Sequence, residues 1–599
     1  MKTRVLILAL ALLLPAAEAS AAPAGCTLSK VAELPVVMRG LRPTVPAKIN
    51  GIEGAFLFDS GSSFSILNPA SVPRFGLRET PSSLVVSGAG GRSRVRIATA
   101  RDMVFGGATY QRPDFLISEK GLGEGVAGLL GANMVARADV EYDLANGVIR
   151  LFRAEGCKEA SLAYWAGDKP FSVIDIENLI ADAHIRGVAS VNGVKMQVMF
   201  DTGASTSMID LHAAERAGVT PTTAGVINGG ASSGVGLRSY VQDWIGPFAS
   251  FKIGGEEIKN TRLRFGDIDL EDNVGMLVGA DFFLSHRVYV SHSQHKLYFT
   301  YNGGPVFNLG VAPQRAVAAT PAGPAPTSNA APSTPAKDDY SNAPTDAAGF
   351  GRRAAAEEAR RDFPAAIDDL TKAIALEPTS ADYVYRRAMA RLANHQVVLA
   401  VLDFDQVLKL RPDDIPALLT RAEIRAAARN LDGAKQDLAT ADKLADKEPG
   451  RRIAVAIAYQ RAGLWSESIG PLDQWIPAYP RSDNLPLAQN ARCLARAMLG
   501  QDLDKALADC DAALRALPGQ PGFLDSRALV YLRRGEFDRG IADYQAVLKL
   551  QPNNAWALYG RGWARLKKGQ KEAGDADIKA AIALRPRLAD EAKARGLAL

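Results

Sequence analysis

Histidine is scarce in this 599-residue chain, which holds six: His184, His212, His286, His292, His295 and His395. None sits in a Gly-x-Ser-x-Gly or His-Glu-x-x-His context, which sets aside the serine-hydrolase elbow and the helical zinc site of metallopeptidases. His292 and His295 could face one metal, but an exposed strand end accounts for them better. No Gly-rich stretch is followed by Gly-Lys-Ser/Thr, so a phosphate loop is not expected. Excess charge is missing too: 70 Lys and Arg against 65 Asp and Glu leave +5, and no basic run stands out to hold nucleic acid. Beyond residue 14 no apolar run is long enough to span a bilayer.

What is present begins with an address. Met1-Lys2-Thr3-Arg4 is a short basic region, Val5 to Leu14 is unbroken apolar sequence, and Ala19-Ser20-Ala21 is a small-residue cleavage site. Residues 1–21 therefore read as a signal peptide, and the mature protein as exported, to a Gram-negative periplasm or beyond. Pro23-Ala24-Gly25-Cys26 faintly resembles a lipoprotein box. It lacks the usual Leu and lies far from the apolar run, which weighs against lipidation. A chain of this length should hold several domains.

Two stretches match each other. Phe56-Leu57-Phe58-Asp59-Ser60-Gly61-Ser62-Ser63 parallels Val198-Met199-Phe200-Asp201-Thr202-Gly203-Ala204-Ser205. Nine residues before each Asp lies an Asn-Gly pair, Asn50-Gly51 and Asn192-Gly193, a hairpin signal because both residues tolerate positive φ. Each Asp then ends the second strand of a hairpin. Gly-rich stretches follow, Gly88-Ala89-Gly90-Gly91 and Asn228-Gly229-Gly230. Next come Leu129-Leu130-Gly131 and Leu277-Val278-Gly279, and then strand-like tails at 148–152 and 296–299.

At these residues the chain resembles the retropepsin-like aspartic peptidases, over roughly 35–155 and 175–302. The resemblance implies tandem all-β acid-protease domains, with boundaries expected near 27–157 and 170–302. It implies Asp59 and Asp201 as catalytic carboxyls, with Ser60, Gly61, Thr202 and Gly203 supporting their loops. Gly88, Gly90 and Gly91, with Gly229 and Gly230, become substrate-covering flaps, and Leu129–Gly131 and Leu277–Gly279 the segments packed beneath the active-site loops. No pepsin-type Tyr is visible in the first Gly-rich stretch, so that branch's flap chemistry does not transfer. Pairing of the two copies within one chain is favoured; a homodimer with Asp59–Asp59 and Asp201–Asp201 sites is the alternative.

The chemistry also stands without the resemblance. Hydrolysis of a peptide by water needs a base for the water proton and an acid for the carbonyl and the leaving nitrogen. Two adjacent carboxyls that share one proton supply both. A lone Asp-Ser-Gly is more often a turn, since Asp and Ser cap turns and Gly takes positive φ; duplication raises the catalytic reading above that one. No metal or organic cofactor is implied. Cys26 and Cys157 bracket the first copy, and a disulfide between them is favoured over two free thiols.

Residues 303–345 are rich in Pro, Ala, Thr and Ser and are expected to form a flexible linker. The remainder, 346–599, is Ala-rich and periodic. Pro378 and Pro412 are 34 residues apart, as are Pro518, Pro552 and Pro586. Upstream lie a small and a larger residue at fixed offsets: Ala400 and Phe404, Ala506 and Cys510, Gly540 and Tyr544. This pattern resembles tetratricopeptide repeats, about seven units plus an end cap, forming an all-α solenoid. Arg353, Arg387, Arg421, Arg527 and Arg561 each precede an Asp by 16 residues, and Arg492 precedes Asp509 by 17. The unit between has Val455 and Pro471 instead and so loses both partners together. An Arg–Asp pair joining helices explains this better than an acidic-ligand site. Cys493 and Cys510 lie in one unit, and bridged or free thiols suit the place equally.

The expectation is an exported aspartic endopeptidase whose repeats hold a protein partner or recruit substrate. The rival is a non-catalytic periplasmic scaffold whose peptidase fold only binds peptides.

Overall fold

The computed structural model describes residues 25–88, 91–118, 122, 125–135, 138–167, 169–177, 184–232, 241–268, 270, 273–307, 344–445, 451–482, 484–594 and 596–598. The expected signal peptide (1–21), the flap residue Gly90 and most of the expected linker lie outside the described residues. Two compact units divide the chain, Met1–Pro378 and Thr379–Leu599.

The first unit is built from the two copies. Each opens with a hairpin whose turn is Asn-Gly: Arg42–Ile49 with Ile52–Phe58, and Ile185–Val191 with Val194–Phe200. All four turn residues hold positive φ (Asn50 52°, Gly51 83°, Asn192 49°, Gly193 80°), the conformation that Asn and Gly adopt at least cost. The asparagines also work through their side chains. Asn50 Nδ2 donates to Phe75 O at 2.9 Å while Oδ1 accepts from Arg101 N at 2.8 Å. Asn192 repeats the pattern with Ala217 O and Ala249 N, both at 2.8 Å.

Between the copies runs a six-stranded sheet to which each contributes three strands. Its order is Thr27–Pro35, Val148–Glu155, Asp139–Asp143, His286–Ser291, Lys296–Tyr301, Ser172–Asp175. The copies meet where Val140 pairs with Val290 and Tyr142 with Val288. Beside that seam the buried Glu141 accepts from Arg150 of its own copy at 2.5 Å and from Arg287 of the other at 2.8 Å. Removing one partner of such a buried cluster leaves an uncompensated charge, so it ties the copies in one register. A single apolar core, including Phe58, Tyr142, Phe200 and Phe283, runs through both copies. Cys26 and Cys157 are disulfide-bonded, closing the ends of the first copy.

The unit ends with two helices, Ala347–Ala359 and Phe363–Leu376. Ala355, Ala356 and Ala359 join the apolar cluster of the β-strands. Gly147 (φ +68°) lets the first helix approach, since a Cβ there would lie 2.7 Å from Arg352 Cβ. The unit therefore extends past the break in composition around residue 345 and takes in the first helical hairpin.

The second unit contains six helical hairpins among its described residues, from Ala381–Ala393 with Val397–Leu410 to Ala555–Lys567 with Lys571–Leu584, and a short closing helix, Leu588–Ala594. Small residues recur where paired helices approach: Ala400, Ala434 and Ala506 are fully buried, and a Cβ on Gly540 would meet Leu532 at 2.3 Å. Loop glycines Gly500, Gly535 and Gly569 take φ of +66° to +77°, the left-handed conformation that ends a helix. The Arg–Asp pairs form within hairpins: Arg421 Nε and Nη2 grip Asp437 at 3.0 and 2.6 Å, and Arg425 adds a bond of 2.8 Å. Arg387–Asp403, Arg492–Asp509, Arg527–Asp543 and Arg561–Asp577 repeat the motif, as Arg353–Asp369 does in the first unit. Some arginines also reach the preceding hairpin, as Arg421 does to Asp405 at 2.6 Å. In the irregular hairpin Gln460 bonds Ser468 Oγ at 3.3 Å and Ala491 O at 2.8 Å. Cys493 and Cys510 are disulfide-bonded across one hairpin. No helix among the described residues is long and apolar enough to cross a membrane.

Candidate active site

Each Asp-Ser/Thr-Gly follows a strand that pairs in parallel with the later apolar segment of its copy: Phe56–Phe58 with Gly128–Leu130, and Val198–Phe200 with Met276–Val278. Asp59 N donates to Leu130 O at 3.0 Å and Asp201 N to Val278 O at 2.9 Å, which fixes where each loop begins. Gly131 and Gly279 then pass against the loop backbone. A Cβ on Gly131 would lie 2.6 Å from Ser62 O, and one on Gly279 2.8 Å from Ala204 O. Only a residue without a side chain fits such a place.

The two loops interlock reciprocally. Ser60 Oγ donates to Phe200 O at 3.0 Å and accepts from Thr202 N at 3.0 Å. Thr202 Oγ1 donates to Phe58 O at 2.6 Å and accepts from Ser60 N at 3.1 Å. Ser60 and Thr202 are both buried, and each hydroxyl satisfies backbone groups of the opposite copy.

The interlock carries the carboxyls together within one chain. A Cβ on Gly61 would lie 2.2 Å from the Asp201 carboxyl, and one on Gly203 2.3 Å from that of Asp59. Each motif's glycine thus vacates the space that the other motif's acid fills. Gly61 N donates to Asp59 Oδ1 at 2.9 Å; Gly203 N and Ala204 N donate to Asp201 Oδ1 at 2.8 and 3.1 Å. Burial, then repulsion from Asp201 and a hydrogen bond with it, push Asp59 well above the usual carboxylate range. The Gly61 amide and Arg42 oppose that shift. Two carboxyls this close repel when both are ionised, which favours a proton on Asp59.

The Gly-rich residues are placed unevenly. Gly88 and Gly91 face each other at the tip of the hairpin Glu79–Gly88/Gly91–Thr99. Gly229 lies at the base of the hairpin formed by Ile227–Ser232 and Val241–Ile253. Arg264 donates to its carbonyl at 2.9 Å, and a Cβ on it would strike the Asp243 carboxylate. Gly230 holds φ of +107° and donates to Asn228 Oδ1 at 2.8 Å. Residues 233–240 lie outside the described residues.

Several residues near the acids were given no part in the site by the sequence reading. Ser65 Oγ donates to Asn133 Oδ1 at 3.0 Å beneath the first loop, and Ser207 Oγ to Asp281 Oδ1 at 2.7 Å beneath the second. Arg42 and His184 each stand seventeen residues before their Asp, so the duplication itself held a signal for them. The fully buried Tyr142 lies against Phe58 and Phe283, its phenol pushed upward by burial. His292, expected at an exposed strand end, is instead partly buried, which pushes its imidazole down, and its amide N–H donates to Asp139 Oδ1 at 2.9 Å. Among the described residues no three His, Cys, Asp or Glu side chains converge as a metal site would need.

Comparison with known proteins agrees with this architecture. Residues 45–134 and 188–282 match the aspartyl protease family, and residues 528–569 match the tetratricopeptide repeat. The aspartyl protease match falls on the two β copies, and the tetratricopeptide match on part of the helical array. No curated protein matches the sequence. Similar solved structures include a tetratricopeptide repeat protein from Parabacteroides merdae (16% identity, 42% of this chain and 98% of that one, TM-score 0.36). PilW, a type IV pilus biogenesis factor, is similar at 19% identity over 34% of this chain and 94% of its own, TM-score 0.30. Yeast Tom70 is similar at 18% identity over 42% and 54%, TM-score 0.31.

Proposed function

We propose that the protein is an exported aspartic endopeptidase in which Asp59 and Asp201 share a proton and activate a water molecule. The observation that carries this reading is the reciprocal interlock of Ser60 and Thr202, which holds two half-buried carboxyls against each other. The ionised member takes a proton from water as its oxygen attacks the peptide carbonyl. The protonated member gives its proton to the carbonyl oxygen. Collapse of the tetrahedral adduct returns that oxygen to a carbonyl and passes a proton to the leaving nitrogen, which restores a singly protonated pair. The cycle needs one proton on the pair, so the rate falls at acid pH, where both are protonated, and again above the pair's raised upper pKa. Two disulfides and the basic-then-apolar N-terminus support an oxidising, extracytoplasmic compartment.

The repeats serve recruitment in this reading: a bound substrate protein is held at high effective concentration near the acids. Removing residues 379–599, and so leaving the first hairpin on the β-strands, raises KM for a native protein substrate and leaves short peptides unaffected. Equal losses on both substrates would rule recruitment out.

The direct test incubates the mature protein with a diverse peptide mixture from pH 3 to 8, beside Asp59→Asn and Asp201→Asn. Product ends are identified by mass spectrometry. Cleavage abolished by either substitution supports a shared pair. Cleavage that needs only one of the acids rejects it, and binding without cleavage at any pH favours a peptide-binding scaffold.

A further inference from the structure

The duplication that matches Asp59 with Asp201 also matches Arg42 with His184, yet the two side chains differ in kind. Arg42 sits at the turn between Val37–Arg39 and Arg42–Ile49, where it pairs with Arg39. Its side chain is half-buried, and Nη2 donates to Leu122 O at 2.5 Å. Leu122 packs against the apolar cluster of Leu57, Ile66 and Leu129, which backs the strand leading into Asp59. The guanidinium therefore stands on the Asp59 side of the site, within electrostatic reach of that carboxyl. Among the described residues no carboxylate lies within ion-pair distance of it, and the carbonyl of Leu122 occupies one of its five donors.

His184 fills the equivalent place in the other copy. Its Nε2 meets Ser63 Oγ at 3.2 Å, and imidazole has neither the fork of donors nor the permanent charge of a guanidinium. The two ends of the site are thus electrostatically unlike. A neutral peptide laid over Arg42 would strip water from a partly desolvated cation and return only uncharged carbonyl acceptors. An acidic side chain would replace that water with paired, charge-assisted hydrogen bonds.

We infer that Arg42 forms a carboxylate-selecting subsite, so that the protein takes peptides bearing an Asp or Glu side chain at one fixed position near the bond held at Asp59 and Asp201. The inference rests on the peptidase reading for its orientation, but its test does not depend on hydrolysis. A single Asp is walked along an otherwise neutral, apolar peptide, and each peptide is compared with its Asn counterpart. Binding to the full-length Asp201→Asn protein is measured by fluorescence anisotropy. One position should bind roughly tenfold more tightly as Asp than as Asn. Adding Arg42→Gln should erase the difference, and Arg42→Lys, which keeps the charge and controls for folding, should retain part of it. Equal binding of every Asp and Asn pair would overturn the subsite, as would a preference that survives Arg42→Gln. In parallel, cleavage of the same peptides by the unsubstituted protein should follow the same position. If that protein binds with the expected preference and cleaves nothing, the peptidase reading fails and the subsite stands.

Discussion

Thr202→Val tests the interlock while changing almost no volume. The hydroxyl is fully buried and makes two bonds, donating to Phe58 O at 2.6 Å and accepting from Ser60 N at 3.1 Å. Valine keeps the shape but leaves one carbonyl and one amide without those partners. Each of the two orphaned buried groups costs about 1–3 kcal/mol, and the added methyl returns about 0.8 kcal/mol, so the net loss is about 1–5 kcal/mol. The loss is local, so the assay is hydrogen exchange read by mass spectrometry on peptides covering 56–64 and 198–205. Where exchange follows the opening equilibrium, those peptides should exchange roughly 5-fold to 5,000-fold faster. Ser60→Ala also removes two bonds, to Phe200 O and from Thr202 N, and should act with similar size on the same peptides. Acceleration below threefold in both variants would refute the idea that these hydroxyls hold the loops together.

Gly61→Ala and Gly203→Ala should each abolish cleavage at every pH while leaving the circular dichroism of the sheets intact, because the new Cβ would lie 2.2 or 2.3 Å from the opposite acid. Asp437→Asn weakens three bonds to Arg421 and Arg425 at a buried site and should cost about 3 kcal/mol in thermal unfolding of the repeats. Asp405→Asn, at a half-exposed partner of Arg421, should cost under about 1 kcal/mol. Burial, then the nearby Asp369, raise Glu357 from the ordinary 4.5 to about 7. A raised carboxyl stabilises the fold fully below its unfolded value and loses that contribution as pH rises through its folded value. Stability of the first unit should therefore fall between pH 4.5 and pH 7, by about 1–2 kcal/mol after allowance for solvent screening. Glu357→Gln should flatten that slope in a series of thermal melts, and an unchanged slope would exclude this residue as its source.

Features governed by local chemistry were the ones open to sequence reading. Asn50-Gly51 and Asn192-Gly193 announce hairpins because few other pairs accept two positive φ values. The Arg–Asp pairs were visible because a 34-residue period repeats them, and because the one unit lacking Arg also lacks Asp. The shared sheet was not legible, since it joins Val140 to Val290 and nothing near either residue names the other. Tyr142 reads as one more apolar strand position, although it lies beneath the acids. Ala355, Ala356 and Ala359 look like any small residues of a repeat helix, yet they pack into the β-core. Gly229 suggests a flexible tip, but its carbonyl is held by Arg264.

The sheet built jointly by the two copies has a consequence for how the chain is made. Asp139–Asp143 completes its pairing only when His286–Ser291 has been synthesised, about 150 residues later than Val140 if measured by its partner Val290. At roughly 5–20 residues per second the newborn first copy spends on the order of ten to thirty seconds with this strand edge unpaired. Such an edge invites pairing with other chains. Duplication thus gave this protein two acids on one polypeptide, and with them an interval in which its first half carries an unpaired edge guarded by its own Asp139, Glu141 and Asp143.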